Sequence, residues 1–147
     1  MYTEGNIIYF DPFFFKNGDK SKPKYFLVLN SSQATTVLAT LPSSVHHLPI
    51  DTPMDHGCIN KADCGISCYI LQKGRPITTD EWSFPEHTFL YGNWIEEYDI
   101  ALLKETYKIE NIEYKIVGTI KPDEFNNIKE CFKNSPVVKN KFKRLLA

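Results

Sequence analysis

The sequence predicts an α+β fold: a curled, mostly antiparallel, barrel-like sheet followed by two C-terminal helices. Three observations predict it. Aromatic and β-branched residues crowd the first two thirds of the 147-residue chain, a composition that suits strands. Short apolar runs recur there between Gly, Pro and Asn, and so many short strands within about 120 residues favour a strongly curled sheet. From Pro122 onward the apolar residues recur at helical spacing instead. Strands first and helices last imply an antiparallel sheet rather than alternating βα units.

The elements follow in order. Gly5 to Asp11 reads as a first strand stopped by Pro12. Lys16 to Lys24 is a polar loop with Gly18, Asp19 and Pro23. Tyr25-Phe26-Leu27-Val28-Leu29 is a continuous apolar run, as expected of a central strand buried on both faces. Thr35 to Leu41 is a third strand ended by Pro42. Ser43 to Gly65 reads as irregular, with a short strand possible at Val45 to Ile50. Strands follow at Ser67 to Leu71, Thr88 to Tyr91 and Ile112 to Ile120, with a turn at Lys73-Gly74-Arg75-Pro76 and a short helix at Asp99 to Tyr107.

The C-terminal helices are placed at about 122–133 and 136–146. Pro122 suits a first helical position, and Asp123 and Glu124 suit the positive end of the helix dipole. Phe125, Ile128 and Phe132 then form one stripe. Ser135-Pro136 reads as the cap and first residue of the second helix, whose stripe is Val138, Phe142, Leu145 and Leu146.

Length suits one domain spanning 1–147 that folds without a metal or disulfide. Hydrophobic residues at 42% exclude a disordered chain, and no apolar run approaches the roughly 20 residues that span a bilayer. Met1 to Asn6 has no basic n-region or signal core, so the expectation is a soluble, cytoplasmic protein with no membrane partner. The four cysteines, Cys58, Cys64, Cys68 and Cys131, are then expected to be reduced. Net charge is −1 but uneven: Asp80 to Glu113 is acidic, and the segment from Lys121 to the end is basic.

No phosphate-binding loop, dinucleotide fingerprint, nucleophile elbow or His-Glu-x-x-His motif is present. His56, Cys58, Cys64 and Cys68 are of the right types for zinc, but they lack the close pairs of common zinc modules. The reading there is no metal and no disulfide. Lys16, Lys20, Lys22 and Lys24 make a basic loop able to neutralise phosphates. Arg75 can grip a phosphate with its planar fork, or pair with an acid to hold its turn. His46-His47 follow Ser43-Ser44. A histidine exchanges protons near neutral pH, and adjacent residues of an extended chain point to opposite sides, so at most one serves a given site.

The order of segments resembles the MazF/PemK toxin family. The resemblance rests on Gly5-Asn6-Ile7-Ile8-Tyr9, the loop Lys16 to Lys24, the strand Lys24 to Asn30, a hydroxyl residue near Thr40 to Ser43, the turn Gln72 to Arg75, and Val117-Gly118-Thr119-Ile120 ahead of a helix. It implies an SH3-like barrel, a homodimer, an antitoxin partner, and cleavage of single-stranded RNA without metal or other cofactor. It also implies a catalytic pair of a basic residue entering the second strand, here Lys24 in place of arginine, and a hydroxyl ending the third, here Thr40 or Ser43. Arg75 and His46 join them as catalytic candidates, and Lys16, Lys20, Lys22 and His47 as RNA-binding ones. The alternative is a non-catalytic binding module on the same barrel, aimed at an antitoxin-like peptide, a nucleic acid or a protein target.

Overall fold

A computed structural model describes residues 2–16, 18, 20–43, 48 and 52–146. It is α+β, with two antiparallel sheets and three α-helices among the described residues. The strands are β1 (Asn6–Phe13), β2 (Lys22–Ser31), β3 (Thr35–Thr40), β4 (Gly57–Lys61), β5 (Ile66–Leu71), β6 (Thr88–Tyr91), β7 (Ile95–Asp99) and β8 (Tyr114–Thr119). The helices are α1 (Ile100–Thr106), α2 (Pro122–Lys133) and α3 (Asn140–Leu145). One sheet has the order β7-β3-β2-β1-β8, the other β4-β5-β6. A bond from Phe89 N to Pro42 O, 2.9 Å, links β6 to the end of β3 and so joins the sheets.

Strand alternation sorts the core. Ile7, Leu27, Leu29, Val37, Ala39 and Ile95 point to one face of the larger sheet and pack with Tyr69, Leu71 and Leu90 of the smaller. Ile128 and Phe132 of α2 and Phe142 of α3 close this layer. The alternate residues Ile8, Phe10, Phe26, Val28, Leu38 and Tyr98 point to the opposite face, where Leu103 of α1 and Tyr107 cover them. The apolar run of β2 is therefore buried on both faces, as its sequence implies. Asp99 caps α1 by accepting from Leu102 N at 3.2 Å.

Several expectations are corrected. β1 does not stop at Pro12; it continues through a cis Asp11-Pro12 bond and a register shift to Phe13, which pairs with Lys22. An edge-like irregularity accommodates the missing N–H of proline there. β4 and β7 were not read from the sequence. β4 is mostly exposed, so it lacks a hydrophobic signature, and in β7 the buried Ile95 and Tyr98 stand three residues apart among acids, which breaks the period-two pattern of a strand. Of the possible strand at Val45 to Ile50, only Leu48 lies among the described residues. The second C-terminal helix is shorter than 136–146. Ser135 Oγ accepts from Val137 N at 3.1 Å and Val138 N at 3.2 Å, which stabilises a bend, and the helix begins only at Asn140.

The cysteines are not all reduced: Cys58 on β4 is bonded to Cys131 on α2. Sequence spacing weighed only the near neighbours of Cys58, whereas its partner is 73 residues away and arrives when α2 docks across β4 and β5. Cys64 and Cys68 are free thiols, the first exposed and the second buried. Among the described residues no helix is long and apolar enough to cross a membrane.

Candidate functional site

A cleft of about 770 Å³ lies where the start of β2, the end of β3 and the start of β7 meet. Register explains its lining. Phe26 stands opposite Thr40, Leu38 opposite Glu96 and Thr36 opposite Tyr98. Directly opposed residues share a face of the sheet, as do residues two apart along a strand. Lys22, Lys24, Thr40, Glu96 and Tyr98 are thereby brought to one side, beyond the apolar cluster around Phe26 and Leu38, and the turn Gly92–Trp94 adds Asn93 and Trp94. The loop before β2 adds Phe15, Lys16, Lys20 and Ser21.

The cleft is cationic with aromatic walls. Lys16 Nζ lies 4.2 Å from the centre of the Tyr98 ring and donates to the backbone oxygen of Glu97, which anchors the loop to β7. Lys22 Nζ lies 5.9 Å from the centre of the Phe15 ring. Lys24 is half-buried rather than exposed, and its pKa is held below the usual lysine value, first by burial and then by the charge of Lys22. One carboxylate shares the cleft: Glu96 Oε2 accepts from the Tyr98 hydroxyl at 3.1 Å. Burial is the main reason that the Tyr98 phenol is pushed up from its ordinary value, with Glu96 adding to the shift.

Lys24 also lines a neighbouring cavity of about 300 Å³ together with Tyr9, Tyr25, Ser43 and Phe84. The two spaces thus meet at one lysine. Thr40 lies on one side of it and the exposed Ser43 on the other.

The other sequence candidates fall elsewhere. Arg75 is exposed on the turn after β5 and lines neither of the two spaces that Lys24 lines. It lines two spaces, of about 520 and 340 Å³, with His56 and Asn127. The reason is topological: Arg75 follows β5, in the smaller sheet, while Lys24 and Thr40 belong to the larger. His46 and His47 lie outside the described residues.

His56 is engaged on both ring nitrogens. Nε2 lies 2.7 Å from Glu124 Oε1, and Nδ1 lies 3.2 Å from the donating Gln72 N. Glu124 also accepts from the Tyr69 hydroxyl. This network ties α2 to β5. Cys58 is committed to Cys131, and no group of three or more His, Cys, Asp or Glu side chains is placed to hold a metal ion among the described residues.

Phe15, Asn93, Trp94, Glu96 and Tyr98 were missed from the sequence as site residues. The signal was the pair Glu96-x-Tyr98, which strand alternation sends to one face once 95–99 is recognised as a strand; Trp94 reaches the cleft from the turn before it. Four lysines with three aromatic side chains in one cleft can neutralise the phosphates of a flexible polyanion and stack its bases. No family model matches the chain, and neither a curated protein nor a solved structure matches it.

Proposed function

We propose that this chain is a metal-independent endoribonuclease of the MazF/PemK toxin type that binds single-stranded RNA in the lysine-rich cleft. The observation that carries the reading is the gathering of Lys16, Lys20, Lys22 and Lys24 with Phe15, Trp94 and Tyr98 around Thr40. Backbone phosphates meet the ammonium groups, and unpaired bases meet the aromatic walls. A duplex, whose bases are stacked on one another, gains nothing from those walls.

RNA supplies its own nucleophile. The 2′-oxygen forms a bond to phosphorus as the bond to the 5′-oxygen breaks, leaving a 2′,3′-cyclic phosphate and a 5′-hydroxyl. Lys24 stabilises charge on the phosphoryl oxygens, and Thr40 or Ser43 donates a hydrogen bond to the same group. His46 is assigned the transfer of the proton from the 2′-oxygen to the departing 5′-oxygen. The half-buried position of Lys24 weakens competition from water, which strengthens its attraction to a phosphate. The same proposal includes an SH3-like curling of the two sheets, a homodimer, an antitoxin partner and a cytoplasmic setting.

A second reading, a non-catalytic RNA-binding module on the same fold, is favoured by one specific observation. Arg75 lies apart from the cleft, so the only cations beside Thr40 among the described residues are lysines, which bind phosphate as point charges without the arginine fork. Purified protein incubated with mixed-sequence RNA in excess chelator separates the two. Fragments ending in 2′,3′-cyclic phosphate support the nuclease; intact RNA that stays bound supports the module.

A further inference from the structure

The cleft holds a carboxylate among four lysines. A carboxylate there repels phosphate, so the part of an RNA strand that meets it must present hydrogen-bond donors. Its surroundings name the part. Glu96 and Tyr98 project to the same side of β7, and Trp94, at the end of the turn that precedes this strand, lines the same cleft with its neighbour Asn93 and with Phe15 of the loop. Aromatic side chains above a polar edge are the ordinary means by which a protein holds and reads a splayed-out base.

We propose that this end of the cleft is a guanine-reading pocket, with Glu96 accepting from the base and the aromatic residues stacking on it. The inference rests on the reading of the cleft as an RNA-binding site. Guanine presents two neighbouring donors, N1–H and the N2 amino group, on its pairing edge. The two oxygens of one carboxylate match them. Adenine and cytosine present one amino donor beside a ring acceptor, and that acceptor faces a carboxylate oxygen unfavourably. Uracil presents a single donor between two acceptors. The Asn93 amide is placed on the same cleft wall and can donate to guanine O6.

Tyr98 is the positioning residue. Its hydroxyl donates to Glu96 Oε2 at 3.1 Å, which fixes the rotamer of an otherwise exposed side chain while leaving Oε1 and the second lone pair of Oε2 to the base. Lys16, whose Nζ lies 4.2 Å from the centre of the Tyr98 ring and donates to the backbone oxygen of Glu97, holds that wall in place. The sugar and phosphate of the same nucleotide then run toward Lys24, so the bond assigned for cleavage adjoins a guanine.

The test uses the intact protein and five-nucleotide RNAs of uridine with guanosine, inosine, adenosine, cytidine or uridine at the centre. The central 2′-oxygen is methylated to prevent cleavage, and affinity is read by fluorescence anisotropy at one salt concentration. Guanosine is expected to bind roughly tenfold or more tightly than adenosine, the ratio that one two-point base contact supplies, with inosine between them because it lacks the N2 amino group. Glu96→Gln, which turns one acceptor into a donor, is expected to bring all five RNAs within about twofold of one another. Tyr98→Phe is expected to shrink the preference without removing it. Thermal unfolding of each variant checks that the fold persists.

Equal affinity of the wild-type protein for all five RNAs overturns the guanine pocket and leaves RNA binding standing. A guanosine preference that survives Glu96→Gln also overturns it, because the contact is then made elsewhere. An unchanged preference with lost cleavage of unmethylated RNA assigns Glu96 to proton transfer instead. Failure of the wild-type protein to bind any of the five overturns both this pocket and the RNA reading of the cleft.

Discussion

Cys58 on β4 and Cys131 on α2 are joined by a disulfide whose Cα atoms are 5.6 Å apart and whose cysteines are 73 residues apart in sequence. The bond fastens α2 to the strand at the edge of the smaller sheet, where β4 is otherwise mostly exposed. Closing a loop of this length lowers the entropy of the unfolded chain by an amount equivalent to about 4 kcal/mol at 25 °C. Reduction, or Cys131→Ser, is therefore expected to lower the free energy of unfolding by roughly 2–4 kcal/mol in urea titrations. An unchanged midpoint under reducing conditions contradicts this assignment.

The two remaining thiols are expected to differ sharply in reactivity. Cys64 is exposed, whereas Cys68 is buried in β5 with its thiol pushed up to about 12, chiefly by burial. The thiolate is the reacting form, so native protein treated with iodoacetamide near pH 8 is expected to take up one label, at Cys64. Mass spectrometry of peptides reads the result directly. Rapid labelling of Cys68 would show that β5 is more open than described.

Gly92 begins the 3₁₀ turn Gly92–Trp94, which delivers Trp94 to the cleft. A Cβ placed on it would lie 2.9 Å from both Ser67 Oγ and Val138 Cγ2. Gly92→Ala is expected to cost about 1–3 kcal/mol, the usual penalty of overpacking, and to weaken RNA binding by displacing Trp94. Equal stability and affinity would show that the turn does not set the position of that ring.

Alkaline pH is expected to unfold the protein. Tyr2, Tyr69, Tyr98 and Tyr107 all have pKa values raised above 10.0, with burial the first cause in each. The unfolded chain then releases its tyrosine protons before the folded one does. The stabilisation is complete below pH 10 and declines as pH rises through that value. Circular dichroism melts from pH 8 to 11.5 test the sign; a melting temperature constant across the interval would contradict it.

The central sheet was legible because its strands carry a strong apolar pattern. Tyr25 to Leu29 announced a strand buried on both faces, and Phe26 and Leu27 do fall into separate clusters. Helix α2 was legible at both ends because Pro122 and the acidic first turn fix its start and its apolar stripe ends at Phe132. α3 was overextended because the hydroxyl of Ser135 was read as a helix cap, and in the fold it holds a bend. Of the cleft, the lysines were visible as a basic loop, since charge needs no partner to be recognised. Glu96 and Tyr98 were invisible because their shared role depends on β7 pairing with β3 from more than fifty residues away. Arg75 was grouped with Lys24 from a turn motif alone, and the division of the chain into two sheets sends it elsewhere.

The salt dependence of single-stranded RNA binding tests the central claim most directly. Each phosphate neutralised on a single strand contributes roughly −0.7 to the slope of log affinity against log salt. With Lys16, Lys20, Lys22 and Lys24 gathered in one cleft, the wild-type protein is predicted to show a slope near −2 to −3, within the roughly −0.7 per contact of that rule. Lys24→Ala and Lys22→Ala are each predicted to flatten it by about 0.7, and Arg75→Ala to leave it unchanged. A slope that is indifferent to Lys22 and Lys24 but flattened by loss of Arg75 would contradict the account and move the RNA site to the other sheet.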